Sequence, residues 1–121
     1  MNKYKNIKIY IISNSIDAKV YIGSTVKRIL TDRLYRHCSD ACNGKNSGLY
    51  KHIRHIGQFE FKINLLEEFS CSTEFEMRCR EQFWMDKTDS SILLNNRRAI
   101  SLKKYKEYTA QQPSRSKFEE I

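Results

Sequence analysis

The sequence predicts a small α+β domain, and three observations predict it. Two short alternating runs, residues 7–12 and 19–23, flank a polar stretch near the start, and a third alternating run spans 59–65. The segments between and after them carry apolar residues at helical spacing. At 121 residues the chain has length for one domain with a single core, and 40% apolar residues is enough to fill it.

In the first run Ile7, Ile9 and Ile11 fall on one face, with Lys8, Tyr10 and Ile12 on the other. In the second, Val20 and Ile22 share a face while Tyr21 points away. Ser13 to Lys19 is rich in Ser, Asn and Asp, which makes the pair a β-hairpin. Its Ile and Val face is expected to meet the core. Both tyrosines, eleven residues apart, are expected on the opposite face as near neighbours.

From about Arg28 to Cys42 the pattern becomes helical, with Ile29, Leu30, Leu34, Cys38 and Ala41 on one stripe and Asn43-Gly44 as the stop. Arg33 and His37 are four residues apart and project from one side. Ser47 is placed to cap a second helix through Leu49, Ile53 and Ile56, ended by Gly57. The 59–65 run sets Phe59, Phe61, Ile63 and Leu65 against Glu60, Lys62 and Asn64, as a third strand would. Thr73 to Glu76 reads as a capping box opening a helix to about Lys87, with Phe75, Cys79 and Phe83 inward. A short apolar-then-basic segment follows at 92–99. Residues 103–108 form a short basic helix in this reading, and 111–116 look unstructured. Residues 1–102 are therefore assigned to the domain and 103–121 to a basic helix and flexible tail.

Net charge is +8 with a pI near 9.4, and Lys27 to Arg54 holds seven Lys or Arg against Asp32 and Asp40. A basic stretch of that size suggests a polyanionic partner, although an ordinary solvated surface would look the same. No run approaches the roughly 18 apolar residues of a membrane span. The start of the chain has no apolar signal core, so an intracellular location is expected. Cys38, Cys42, Cys71 and Cys79 are spaced C-x3-C and C-x7-C with no C-x2-C pair. Buried free thiols fit that spacing better than a zinc site completed by His37.

Several residues have the chemistry to cut a phosphodiester, which needs a base near the attacking water, a cation near the leaving oxygen and positive charge on the nonbridging oxygens. Glu81 lies among Met77, Met85 and Trp84 on its helix and needs a partner, whether a cation, a metal or water. One carboxylate is a sufficient anchor for magnesium, which keeps most of its waters. Arg33 offers a planar fork to phosphate, and His37 beside it can relay a proton or donate to an oxygen. Tyr10 and Tyr21 have the reach to contact water or phosphate. Acting as a base near pH 7 would require nearby positive charge to lower the tyrosine pKa from about 10.

The order of these elements is K-I-Y, then Y-I-G-S-T, then R-x3-H, then R-E-Q-F-W on a helix, then an Asn after an apolar pair. From Lys8 to Ala99 this resembles the GIY-YIG nuclease superfamily, which includes homing endonucleases, restriction enzymes and DNA-repair nucleases. The resemblance implies a three-stranded antiparallel sheet flanked by helices and a DNA endonuclease using one Mg or Mn ion. Tyr10 and Tyr21 match the motif tyrosines, with Tyr10 as activator of the water. Arg33 matches the phosphate-stabilising arginine, His37 the histidine after it, Glu81 the metal ligand and Asn95 the late asparagine. Lys8 stands where the first motif glycine belongs, and Arg33 lies twelve residues after Tyr21, one more than the pattern expects. Lys27, Arg28, Arg36, Lys51, Arg54, Arg97 and Arg98 are the candidates for flanking DNA phosphates. Two other readings stand beside this one: a nucleic-acid-binding module that keeps the fold without cleavage, and a structural protein whose tyrosine pair is packing. Target choice, and monomer against homodimer, are left open.

Overall fold

A computed structural model describes residues 2–111; residues 112–121, and with them the expected tail, lie outside it. Strands β1 (Ile7–Asn14), β2 (Tyr21–Thr25) and β3 (Phe61–Phe69) form one antiparallel sheet in the order β2-β1-β3, which makes β1 central. The hairpin register pairs Tyr10 with Gly23 and Ile12 with Tyr21. Asn14 organises the turn: its Oδ1 accepts from the backbone N–H of Ile16 and of Asp17, both at 2.8 Å.

Both faces of the sheet are covered, which corrects the expectation of a core face and an opposite tyrosine face. Tyr10, Ile12 and Phe61 form one buried cluster with Ala41, Leu49 and Ile53, beneath α1 (Leu30–Cys42) and α2 (Gly48–Ile56). Ile7, Ile9 and Ile22 form the other with Cys71 and Met85, the latter from α3 (Glu74–Asp86). A central strand with apolar residues on both of its faces is built for this arrangement. Tyr10 is only 1% exposed and lies in a core of its own.

The third strand starts later and runs further than the alternation suggests. Gln58–Glu60 is a turn of 3-10 helix, so Phe59 falls before the strand and is 91% exposed. Pairing with β1 then steps from Tyr10–Leu65 to Ile9–Glu67, leaving Leu66 as an extra residue. Leu66 packs on the α3 side and Ile63 on the α1 side, and past the bulge Glu67 also faces α3.

Leu30, Leu34, Cys38 and Ala41 seat α1 on the sheet, while Ile29 is left at the N-cap, 46% exposed. Ser47 holds the N-cap position of α2 but makes no capping bond; the first N–H, of Gly48, goes instead to the Asn96 side chain. Gly57 ends α2 with φ 109°, a conformation that favours glycine. At α3 the Thr73 hydroxyl accepts from the Glu76 N–H, and the Glu76 carboxylate accepts from the Ser72 N–H and the Thr73 hydroxyl rather than from the Thr73 N–H. Cys79 and Phe83 are buried, but Phe75 is half in solvent, its ring edge-on to Tyr108 of α4 (Leu102–Ala110). Of the four free cysteines, Cys71 and Cys79 are buried, Cys38 half-buried and Cys42 exposed.

A polar network fastens α3 to β3. Glu67 accepts from Arg80 Nε and Nη2 at 2.6 and 3.0 Å and from Trp84 Nε1 at 3.0 Å. The Arg80 guanidinium also lies 4.0 Å from the centre of the Phe83 ring. Among the described residues no helix is long and apolar enough to cross a membrane.

Candidate active site

Tyr10 reaches across β2 because its hairpin partner is Gly23. A Cβ at position 23 would overlap the Tyr10 ring and hydroxyl, so the glycine is what lets the phenol lie flat over the neighbouring strand. One helical turn apart on α1, Arg33 and His37 descend onto the hydroxyl that emerges there. Arg33 Nε donates to it at 3.2 Å, and His37 Nε2 lies 2.9 Å from it. Tyr21 comes within 5.4 Å of the imidazole centre, edge-on, and 6.5 Å of the Tyr10 ring. The second imidazole nitrogen, Nδ1, faces the Tyr50 hydroxyl of α2 at 3.3 Å.

Burial governs the protonation states. It pushes His37 down to about 3, aided by the Arg33 charge, so the ring is neutral at ordinary pH. Burial raises Tyr10 well above the usual tyrosine range, reinforced by Tyr21, while Arg33 opposes it with a smaller effect. Tyr21 is pushed up to about 12 by burial and by the Glu81 charge. The Arg33 charge alone does not lower these tyrosines: desolvation wins, and both are protonated phenols.

Glu81 approaches from the other side of the sheet. Along β2 the odd positions 21 and 23 face Tyr10 and the α1 side, and the even positions 22 and 24 face α3. Ser24 accordingly donates its hydroxyl to the Glu81 carboxylate around this short edge strand. Glu81 is half-buried, and burial raises its pKa against the pull of Ser24, Arg78 and Arg33. Arg78 is engaged with Glu74 at 3.1 Å, and among the described residues Glu81 has no ion pair. A cleft of about 280 Å³ opens beside it, lined by Lys3, Tyr4, Ser24, Thr25, Lys27 and Arg33.

Residues 6–98 match the GIY-YIG catalytic domain. The chain belongs to that family. Among solved structures it is similar to the catalytic domain of the intron endonuclease I-TevI in a point-mutant form, at TM-score 0.66 and 28% identity, over 78% of this chain and 97% of that one. Another structure of the I-TevI catalytic domain, titled as a homing endonuclease, agrees at TM-score 0.61 and 26% identity, over 75% and 98% of the two chains. The MSV199 domain-containing protein 146R of Invertebrate iridescent virus 6 is 35% identical over 74 residues, covering 61% of this chain and 30% of that protein. The chain thus spans about a third of that relative. Its fold is that of a nuclease catalytic domain, a three-stranded antiparallel sheet with helices on both faces.

All six residues singled out from the GIY-YIG resemblance lie around β2, but Asn95 is spent on the strand's backbone. Its amide donates to the Ile22 carbonyl at 2.7 Å and its oxygen accepts from the Ile22 N–H at 3.0 Å, so it clamps β2 from outside. The expected phosphate-binding residues are scattered. Lys27 lines the cleft, while Arg28, Lys51 and Arg97 are exposed. Arg36 lies 3.3 Å from Asp40, and Arg98 donates to the Ile100 carbonyl. Arg54 departs from expectation most clearly: it donates to the carbonyls of Ala41 and Lys45 and to Asn46, closing the α1–α2 loop. Ser24, Tyr50 and Asp40 went unnoticed as site residues. Ser24 was visible inside Y-I-G-S-T, and Asp40 sits three residues beyond His37 on the same helix.

Proposed function

We propose that the protein is a DNA endonuclease that hydrolyses phosphodiesters with one divalent metal ion and a tyrosine-assisted water. The supporting observation is the Tyr10 hydroxyl, held between an arginine that donates to it and a neutral imidazole that can take its proton, with an unpaired carboxylate across a five-residue edge strand.

The donor set fits a magnesium or manganese ion. Glu81 is a half-buried carboxylate with a raised pKa and no cationic partner among the described residues, and a cation beside it would relieve both conditions. Glu81 would hold the ion, which when bound would supply positive charge for the leaving oxygen. The remaining steps belong to the chain. Among the described residues Arg33 bonds through Nε alone, to Tyr10, leaving both terminal nitrogens of its fork for the scissile phosphate. Tyr10 takes the proton of the attacking water as its own proton passes to His37 Nε2, because a phenol with a raised pKa cannot wait as a phenolate. Tyr21 packs against His37 and fixes the ring. Lys27, at the rim of the cleft, meets a flanking phosphate.

The test is incubation of supercoiled and branched DNA with Mg or Mn, comparing wild type with Glu81→Ala and Tyr10→Phe. Cleavage is expected from wild type and from neither variant. Cleavage surviving Glu81→Ala would sink the metal assignment. Salt-sensitive binding without cleavage by wild type would leave a nucleic-acid-binding module.

A further inference from the structure

The cleavage scheme gives no role to the second nitrogen of His37. Nδ1 lies 3.3 Å from the hydroxyl of Tyr50, whose ring centre is 5.8 Å from that of the imidazole. Tyr50 is half-buried on α2, and burial together with the nearby Asp40 charge raises its pKa. Asp40 is 8% exposed, with Arg36 at 3.3 Å and Lys45 at 3.6 Å, and their charges hold it below the usual carboxylate range despite its burial.

The arginine end sets the direction of the bonds that follow it. A guanidinium only donates, so the Tyr10 oxygen accepts from Arg33 and its proton points to His37 Nε2. A neutral imidazole that accepts at Nε2 carries its proton on Nδ1, so the Tyr50 oxygen accepts from Nδ1–H. His37 is thereby held as the Nδ1–H tautomer, with the Nε2 lone pair facing the proton that Tyr10 must shed.

We infer that Tyr50 is a positioning residue of the Tyr10–His37 relay and the exit for its proton. In the step, a water O–H breaks as Tyr10 gains that proton, and the original Tyr10 O–H breaks as Nε2–H forms. Nδ1–H breaks as a Tyr50 O–H forms, and the original Tyr50 proton passes to solvent from this half-buried residue. Every group ends with the number of protons it began with, and the imidazole changes tautomer. An imidazolium, which burial and Arg33 both oppose, is never required. The inference rests on Tyr10 being the acceptor of the water's proton.

The test uses Tyr50→Phe, which keeps the ring packed, and Tyr50→His, which restores a protic group. In single-turnover cleavage at saturating DNA and Mg, Tyr50→Phe is expected to fall about 10- to 100-fold with unchanged DNA affinity, and Tyr50→His to recover most of the loss. Nitrogen-15 NMR of His37 is expected to show the Nδ1–H tautomer in wild type and a mixture in Tyr50→Phe. Wild-type cleavage rates in Tyr50→Phe, with Tyr10→Phe inactive, would overturn the inference and leave the nuclease reading standing. An Nε2–H tautomer in wild type would overturn it as well. Were wild type inactive on every DNA, the nuclease reading and the proton-exit role would fall together, and the spectrum would decide only whether Tyr50 positions His37.

Discussion

Two polar networks flank the same sheet, one on its α3 face and one gathered around β2, and they are built on opposite terms. On the α3 face Arg80 meets both Glu67 oxygens, Trp84 donates to the same carboxylate, and aromatic rings flank the guanidinium. Its charges are matched and its principal donors engaged. Around β2, among the described residues, Arg33 holds Tyr10 by one nitrogen, Glu81 has only Ser24, and both tyrosines have raised pKa values. The first network fastens secondary structure. The second leaves valences open for a phosphate and a cation, and the matched scaffold offsets that instability.

Substitution can break this contrast. The largest effect is expected from Glu81→Gln, roughly a thousandfold loss of cleavage with a melting temperature equal to or above wild type, because a poorly compensated carboxylate leaves the interior. A clear fall in melting temperature would mean that Glu81 belongs to the structural network after all. Next, Arg80→Met should cost about 3–5 kcal/mol in urea unfolding, and Arg80→Met with Glu67→Leu should recover most of it, since the lone carboxylate is what hurts. Gly23→Ala forces a Cβ into the Tyr10 ring and should cost about 1–3 kcal/mol together with most of the activity, measured by melting and cleavage.

The smallest effect per measured step is a pH slope. His37 titrates near 3 in the folded chain against an ordinary 6.5, so the unfolded chain takes the proton first. The stability that His37 contributes is therefore complete above 6.5 and is lost as pH falls toward 3, at up to about 1.4 kcal/mol per pH unit. His37→Gln should flatten the urea midpoint over that window. An unchanged slope would show that His37 is not held neutral.

Much of this was legible in the sequence because it is local. The hairpin, both α1-side helices and the Thr73–Glu76 cap follow from periodicity and breakers within a few residues of each other. The tyrosines, Arg33, His37 and Glu81 could be named from their order. What escaped depends on contacts distant in sequence or on a local irregularity. The bulge at Leu66 arises where two leucines interrupt an alternation, and no spacing rule says which faces inward. Asn95 bonds a residue 73 positions away, and Arg54 is drawn to loop carbonyls that only the α1–α2 angle brings near. The sign of the tyrosine shift is hidden for a related reason. Charge can be counted along a chain, whereas desolvation depends on a second layer of helices.

Asn95 has a further consequence for how this molecule behaves at concentration. β2 ends the sheet, and an end strand presents free N–H and C=O groups to which another polypeptide can add. At Ile22 both groups are taken by one carboxamide, and flanking it Val20 bonds to Ile92 and Leu94 through backbone N–H and C=O. The Asn95 side chain imitates a peptide unit without continuing as a strand. It thereby blunts the edge beside the site, so that chain-to-chain β-pairing, the first step toward aggregation, finds no free ladder there.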